Sequence, residues 1–293
     1  MHPLITVVIP TYNRLALVQQ AVASVVAQTY THWELMVADD GSDDGSAESL
    51  ATIKDSRIKI LALPHSGNIA VTRNAGARAG KGAWLAFLDS DDLWIPERLE
   101  IQVTKMMQEN KRWGYGGFEL MDKDMHMIPN KAGAYYPFSG WIAKEVLTTE
   151  ASIAIGAILI ERTLFEESGG FNDDPELLYR EDYELVLRLA LKAEALAIPD
   201  LLLRIREHGG RSTNAFEYGH DRTAFVYEHF LRQHPEKDLT TIARKRLATS
   251  LAESAVQRMR RGKYMDAVNR LGKALIHGDS LRHLLSVVRR GLK

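Results

Sequence analysis

The chain has no cysteine in its 293 residues. That excludes a disulfide framework and any thiolate metal site. It also has no apolar run long enough to span a membrane. The longest, "ASIAIGAILI" at 151–160, is about half the length a span requires. The N-terminal "MHPLITVVIP" lacks a basic n-region and a full apolar h-region, so no secretion signal is expected. There is no Walker-type glycine-rich loop, no GxGxxG after the first apolar run and no Ser/His/Asp set with elbow spacing. Those absences weigh against P-loop enzymes, dinucleotide oxidoreductases and serine hydrolases. The expectation is a soluble or peripheral protein, cytoplasmic by default.

What is present is ordinary globular composition, 45% hydrophobic and 26% charged, with ample length for a core. The net charge of −1 conceals an asymmetry. From residue 241 onward there are 13 Lys/Arg against 3 Asp/Glu, a net of +10. The preceding residues hold 24 basic and 35 acidic side chains, a net of −11. Such a division points to two functional surfaces.

Hydropathy patterning also divides the chain. "LITVVIPTYNR", "WELMVADDGS", "RIKILAL" and "AWLAFLDSDD" read as buried strands, each an apolar run closed by turn formers. Between and after them, 15–28, "AESLATIK", 69–80 and 96–110 have helical spacing. Pro96 and an early glutamate mark the start of the last of these. Alternating strands and helices predict a mainly parallel sheet with helices on its faces. Farther on, "RWGYGGFEL", "IAIGAILIE" and "LLLRIREH" read as strands, and "RTLFEESGGF" and 181–194 as helices. From about 220 the pattern is helical. The expected division is an α/β domain over 1–215 and a helical extension over 216–293.

In an open parallel sheet, ligands bind at the carboxyl ends of strands. The polar clusters fall there: Thr11–Arg14, Asp39–Ser42 and Asp89–Asp92. Asp89, Asp91 and Asp92 suit a hard cation that shares phosphate oxygens, while Asp92 alone also suits a cap for the helix near Pro96. "ADDGSDDGS" makes a good turn and could also accept from a base or a ribose. Glu181 and Asp182 open an amphipathic helix, as caps or as a base for a hydroxyl nucleophile. Arg204, Arg206, His208 and Arg211 flank a glycine pair and could hold phosphate. Taken singly, each cluster favours the plainer structural role; what changes that is their company.

In order, "VVIPTYNR", "ADDGSDDGS", "GNIAVTRNAGARAGKGAWLAFLDSDDLWIPERL", "GGFND", "EDYELVLRLA" and "RIREHGG" resemble the family 2 glycosyltransferases with the GT-A fold, over about residues 4–212. The resemblance implies a Rossmann-like, mixed and mainly parallel sheet flanked by helices. It implies an inverting transfer of a hexosyl or N-acetylhexosaminyl group from a nucleotide diphosphate donor, usually a UDP-sugar, with Mg²⁺ or Mn²⁺. Carried onto this chain, Pro10, Thr11, Tyr12 and Asn13 line the nucleoside pocket and Asp40 meets the base. Arg73 and Ser90 lie near the donor. Asp89 and Asp91 match the DxD motif, with Asp91 on the metal and Asp89 on ribose or metal. His208 matches a position near the diphosphate or metal. Asp182 matches the general base, and Gly170, Phe171 and Glu181 border the acceptor. Thr72 stands where the family often has alanine.

The acceptor the resemblance implies is a saccharide, lipid-linked or protein-linked, in cell-envelope synthesis. Two readings follow for the basic C-terminal part: contact with anionic lipid at the inner face of the membrane, or a helical cap or partner surface, a second copy of the chain included. A nucleotide-sugar-binding protein without catalysis is the rival reading; the intact Asp91 and Asp182 weigh against it. Nucleic acid is not an expected partner, because the rest of the chain is acidic and no aromatic-basic interleaving is present.

Overall fold

The computed structural model describes residues 2–128, 137–207, 219–234, 237–277 and 281–292. The described chain divides into two compact units. The first comprises Met1–Val146, Glu150–Asp173 and Glu181–Gly209; the second comprises Leu147–Thr149, Asp174–Arg180 and Gly210–Lys293. The expected boundary after residue 215 lies outside the described residues.

The first unit is built on an eight-stranded mixed sheet. Its strands are β1 (Ile5–Thr11), β2 (Trp33–Asp39), β3 (Ile58–Ala62), β4 (Trp84–Phe87), β5 (Leu93–Trp94), β6 (Trp113–Met121), β7 (Ile158–Glu161) and β8 (Ala195–Arg206). The spatial order is β3-β2-β1-β4-β7-β6-β8-β5. β3, β2, β1 and β4 run parallel. β7 is antiparallel to both of its neighbours, β4 and β6, so β6 and β8 point the same way as β4. Every residue of β1 and β2 is buried, as expected of strands covered on both faces. Each fully enclosed Val, Ile or Leu there contributes roughly 1.5–3 kcal/mol.

Helices α1 (Leu15–Val26), α2 (Ser46–Ala51), α3 (Ile69–Ala79), α4 (Arg98–Gln108), α5 (Ala143–Thr148), α6 (Arg162–Glu167) and α7 (Glu181–Lys192) follow in chain order. Asn68 caps α3, accepting from the Ala70 N–H. The second unit holds α8 (Gly219–Gln233), α9 (Lys237–Arg260), α10 (Tyr264–Ile276) and α11 (Leu281–Leu292). There α9 is central and packs against the other three.

Some local expectations are corrected. "IAIGAILIE" is a strand only from Ile158; Ile155–Ala157 form a 3-10 turn. The last strand starts at Ala195, not 201, and passes Pro199 where its register with β6 shifts. α4 starts at Arg98, two residues beyond Pro96. The short β5, which closes the sheet edge against β8, and α5 have no clear periodic signal because they are too short to show one.

Candidate active site

The parallel strands β1, β2 and β4 deliver their polar ends to one edge of the sheet. Backbone and side-chain bonds then tie the loops together. The Asp40 N–H donates to the Thr11 carbonyl at 2.9 Å. Asn13 is held with φ of +49°, its N–H on Ser42 Oγ and its Oδ1 accepting from the Asp43 N–H, both at 2.9 Å. Asp39 is buried and accepts from Ser42 N and Oγ. Gly41, at φ of +80°, supplies the left-handed residue that this turn requires,.

Asp40 is also buried. Its Oδ1 accepts from Ser66 N and Oγ at 2.9 and 2.8 Å, its Oδ2 from Gly67 N at 2.9 Å, and His65 Nδ1 lies 3.1 Å away. The carboxylate expected at the base therefore anchors loop 65–67. That loop brings the His65 ring against Tyr12, with centroids 4.2 Å apart and planes 23° apart. Tyr12 is exposed, whereas Pro10, Thr11 and Ser90 are buried. Thr11 Oγ1 has no hydrogen-bond partner among the described residues. A buried hydroxyl left so is costly, and it is a feature that a bound ligand would satisfy.

Of the three aspartates after β4, Asp89 and Asp91 pair with arginine guanidinium groups and Asp92 accepts from a backbone N–H. Arg73 Nη2 donates to Asp89 at 2.5 Å. Arg14 Nη1 donates to Asp91 at 2.6 Å. The Arg206 N–H donates to Asp92 Oδ1 at 3.0 Å, while the Arg206 guanidinium holds the Asp91 carbonyl, Lys123 O and Gln20 Oε1. Asp92 thus secures the end of β8, not a helix N-terminus. Arg206, read as a phosphate binder, is buried and spends its donors on the fold. Arg204 pairs with Glu119 at 2.8 Å. His208 and Arg211 lie outside the described residues.

Arg73 ties α3 to α7. Its Nη1 donates to Glu181 Oε1 at 2.6 Å. Both side chains are buried, and both Arg73 Nε and Glu181 Oε2 lack partners among the described residues. Burial opposes the charge on Arg73, but Asp89, Glu181 and Asp182 together raise its pKa above the ordinary value,. Burial, and then the charge of Asp182, push Glu181 up to about 7 against the pull of Arg73,. Glu181, expected beside the acceptor, is therefore part of an enclosed carboxylate–guanidinium pair. Asp182 is half-buried and accepts from the Tyr183 N–H at 2.7 Å.

Gly170 and Phe171 sit behind this pair. Phe171 is buried edge-on to Phe87, 4.9 Å between centroids, with Arg73 5.2 Å from its ring centre. Its ring supports the site from the core side. Gly170 has φ of +68°, and a Cβ there would come 2.8 Å from Asn74 Oδ1. Asn74 clamps the segment through the Phe171 N–H and carbonyl.

Asp89 and Asp91 offer hard oxygen donors two residues apart at a strand end, which fits Mg²⁺ or Mn²⁺ shared with phosphate oxygens. Among the described residues no group of three His, Asp or Glu side chains is placed to hold a metal ion by itself. Arg14 and His65 are the functional candidates that sequence reasoning left without a role. The signal for Arg14 was a cation at one strand end facing the carboxylates of another. His65 follows β3 and carried no such signal.

Residues 6–119 match the family model described as Glycosyl transferase family 2. WfgD of Escherichia coli, named a UDP-Glc:alpha-D-GlcNAc-diphosphoundecaprenol beta-1,3-glucosyltransferase, is 30% identical over 64% of this chain and 69% of its own length. WfaP of Escherichia coli, with the same activity in its name, is 27% identical over 73% of this chain and 82% of its own. An uncharacterised glycosyltransferase of Rickettsia conorii is 36% identical over 71% of this chain, which spans 34% of that protein. The structure of S. aureus TarS 1-349 in complex with UDP-GlcNAc superposes with a TM-score of 0.72 at 14% identity, over 98% of this chain and 89% of the other. That likeness extends the GT-A assignment to the fold. The chain belongs to glycosyl transferase family 2.

Proposed function

We propose that the chain transfers a sugar, hexosyl or N-acetylhexosaminyl, from a UDP-sugar to a hydroxyl of a lipid-linked saccharide of the cell envelope. The observation that carries this reading is the convergence of Asp89, Asp91, Arg14, Arg73 and Asp182 at and beside the carboxyl edge of the sheet. The names of WfgD and WfaP support the donor and the acceptor class. The complex of TarS with UDP-GlcNAc supports a uridine nucleotide.

In this reading Tyr12 and Thr11 receive the nucleoside, and Asp40 keeps loop 65–67 in place beside it. Asp89 and Asp91 would hold Mg²⁺ or Mn²⁺, which supplies positive charge for the departing diphosphate. Arg14 turns from Asp91 toward phosphate when the donor enters. Asp182 takes the proton from the acceptor hydroxyl as that oxygen attacks the anomeric carbon. The bond from that carbon to the diphosphate oxygen breaks, and the electron pair leaves with the diphosphate. One displacement from the opposite face inverts the centre. Glu181 and Arg73 hold the first turn of α7 in register with Asp89.

The test is release of uridine diphosphate from UDP-glucose and UDP-GlcNAc by the purified chain with Mn²⁺. Asp182→Asn is expected to lower turnover by about 10²–10⁴-fold while the thermal shift given by uridine diphosphate persists. A thermal shift without turnover, for any donor and acceptor, would favour a nucleotide-sugar-binding protein. Indifference to every nucleotide would sink both readings.

A further inference from the structure

Helix α10 is apolar around more of its circumference than the protein covers. Ala267 and Ala274 are buried on its inner face. Tyr264, Val268 and Leu275 project outward with Met265 and Ile276, at 66%, 64%, 48%, 82% and 81% exposure. At 100° per residue these five fall within one arc of about 120°, adjoining the buried face. A scattered exposed apolar residue needs no explanation, but five on one arc of one helix form a surface.

The charges around the arc have one dominant sign. Residues 260–276 contain Arg260, Arg261, Lys263, Arg270 and Lys273 against Asp266 alone. Arg260, Arg261 and Lys263 are exposed where the chain enters the helix, and Lys273 is exposed beside the stripe. Arg270 turns inward to Asp221 at 3.2 Å. Arg289 and Arg290, in the last turn of α11, are exposed as well. A second copy of the chain laid on this stripe would bring the same cations against these, a like-charge contact that costs affinity. An anionic bilayer offers an apolar interior for the stripe and negative headgroups for its rim. No helix among the described residues is long and apolar enough to cross a membrane, so an arrangement lying in the interface suits α10.

We propose that the exposed face of α10, Tyr264, Met265, Val268, Leu275 and Ile276 with its Arg260–Lys263 and Lys273 rim, docks the protein in the surface of an anionic phospholipid bilayer. The inference goes beyond the transfer reading and stands without it, because it rests on the helix alone. Apolar side chains enter the headgroup boundary and the cations stay among the phosphates, so both parts are needed.

The experiment is cosedimentation of the full chain, without donor, with vesicles of phosphatidylcholine alone and of phosphatidylcholine mixed with phosphatidylglycerol. Wild type is expected to bind the anionic vesicles and to bind the neutral ones at least about tenfold more weakly. The triple variant Met265→Ser, Val268→Ser, Ile276→Ser alters only exposed side chains and is expected to lose about tenfold or more in binding with its thermal midpoint unchanged. A Tyr264→Trp reporter is expected to shift its emission to the blue on anionic vesicles. Equal binding of wild type and triple variant would overturn the proposal. So would a concentration-dependent dimer that the triple variant abolishes, which would assign the stripe to a second copy. Transfer from UDP-sugar to a soluble acceptor is expected to be the same in the triple variant, so failure of docking and failure of the transferase reading give different results.

Discussion

Arg73 and Arg98 are both buried in the first unit, and their surroundings differ. Arg73 sits between Asp89 and Glu181, its guanidinium shared by two carboxylates. Arg98, on α4, has no carboxylate partner among the described residues. Its Nη2 donates to the Ile158 carbonyl at 2.7 Å, and its guanidinium carbon lies 3.7 Å from the ring centre of Trp94. Its Nε and Nη1 lack partners among the described residues, and burial pushes its pKa well below the ordinary value. Both side chains bear the cost of leaving water. Arg73 recovers it by Coulomb attraction, Arg98 by one carbonyl and a cation–π contact. In the proposed function, the anions around Arg73 are the ones exchanged for those of a ligand. The carbonyl and ring around Arg98 cannot be exchanged, so Arg98 acts as a wedge between α4 and β7.

The largest expected effect breaks the comparison directly. Arg73→Met leaves Glu181 buried beside Asp182 and Asp89 without a cation and should cost about 3 kcal/mol or more in urea unfolding. Arg98→Met exchanges a poorly compensated charge for an apolar chain of similar length and should stay within about 1 kcal/mol of wild type. Equal losses would show that the two cations are held alike.

The next measurement sharpens the Arg73 side. Glu181 has a folded value of about 7 against an ordinary 4.5. The folded state therefore binds its proton more tightly than the unfolded chain, and the contribution of Glu181 to stability falls as pH rises through that window. Glu181→Gln does not titrate. Its stability relative to wild type should grow by up to about 3 kcal/mol from pH ~4.5 to pH ~8, read as the difference in unfolding free energy. A flat difference would mean that Arg73 keeps Glu181 ionised throughout.

Smaller effects concern the frame around the pair. Asn68→Ala removes the cap of α3, the helix that carries Arg73, and should cost about 1 kcal/mol in thermal unfolding. Thr11→Val replaces the partnerless hydroxyl by a methyl of similar size. Stability should change by less than about 0.5 kcal/mol, while affinity for uridine diphosphate drops roughly two- to tenfold. An unchanged affinity would remove Thr11 from the donor site.

Much of this was legible in the chain. β1, β2 and α7 have strong periodicity and clear stop signals, and they lie where the pattern puts them. The clusters Thr11–Arg14, Asp39–Ser42 and Asp89–Asp92 were readable as strand-end groups because a parallel sheet aligns carboxyl ends. Other features were not legible. β8 starts six residues early because pairing with β6 continues through a register shift that leaves no alternation to read. The enclosure of Glu181 was invisible because its neighbour Arg73 is 108 positions away. The apolar arc of α10 looks like any amphipathic helix until one sees which part of it the protein covers.

The amino-acid sequence by itself determined the strand and helix alternation, the polar strand ends and the basic character of the last helices, since these depend on local pattern and composition. Only the tertiary structure decided which charges meet. It joined Asp89 to Arg73, Asp91 to Arg14 and Asp92 to the end of β8, because pairing depends on distances across separate elements. It also decided that Asp40 holds a loop and that the outer face of α10 is left uncovered, because burial belongs to the packed chain and not to any one segment of it.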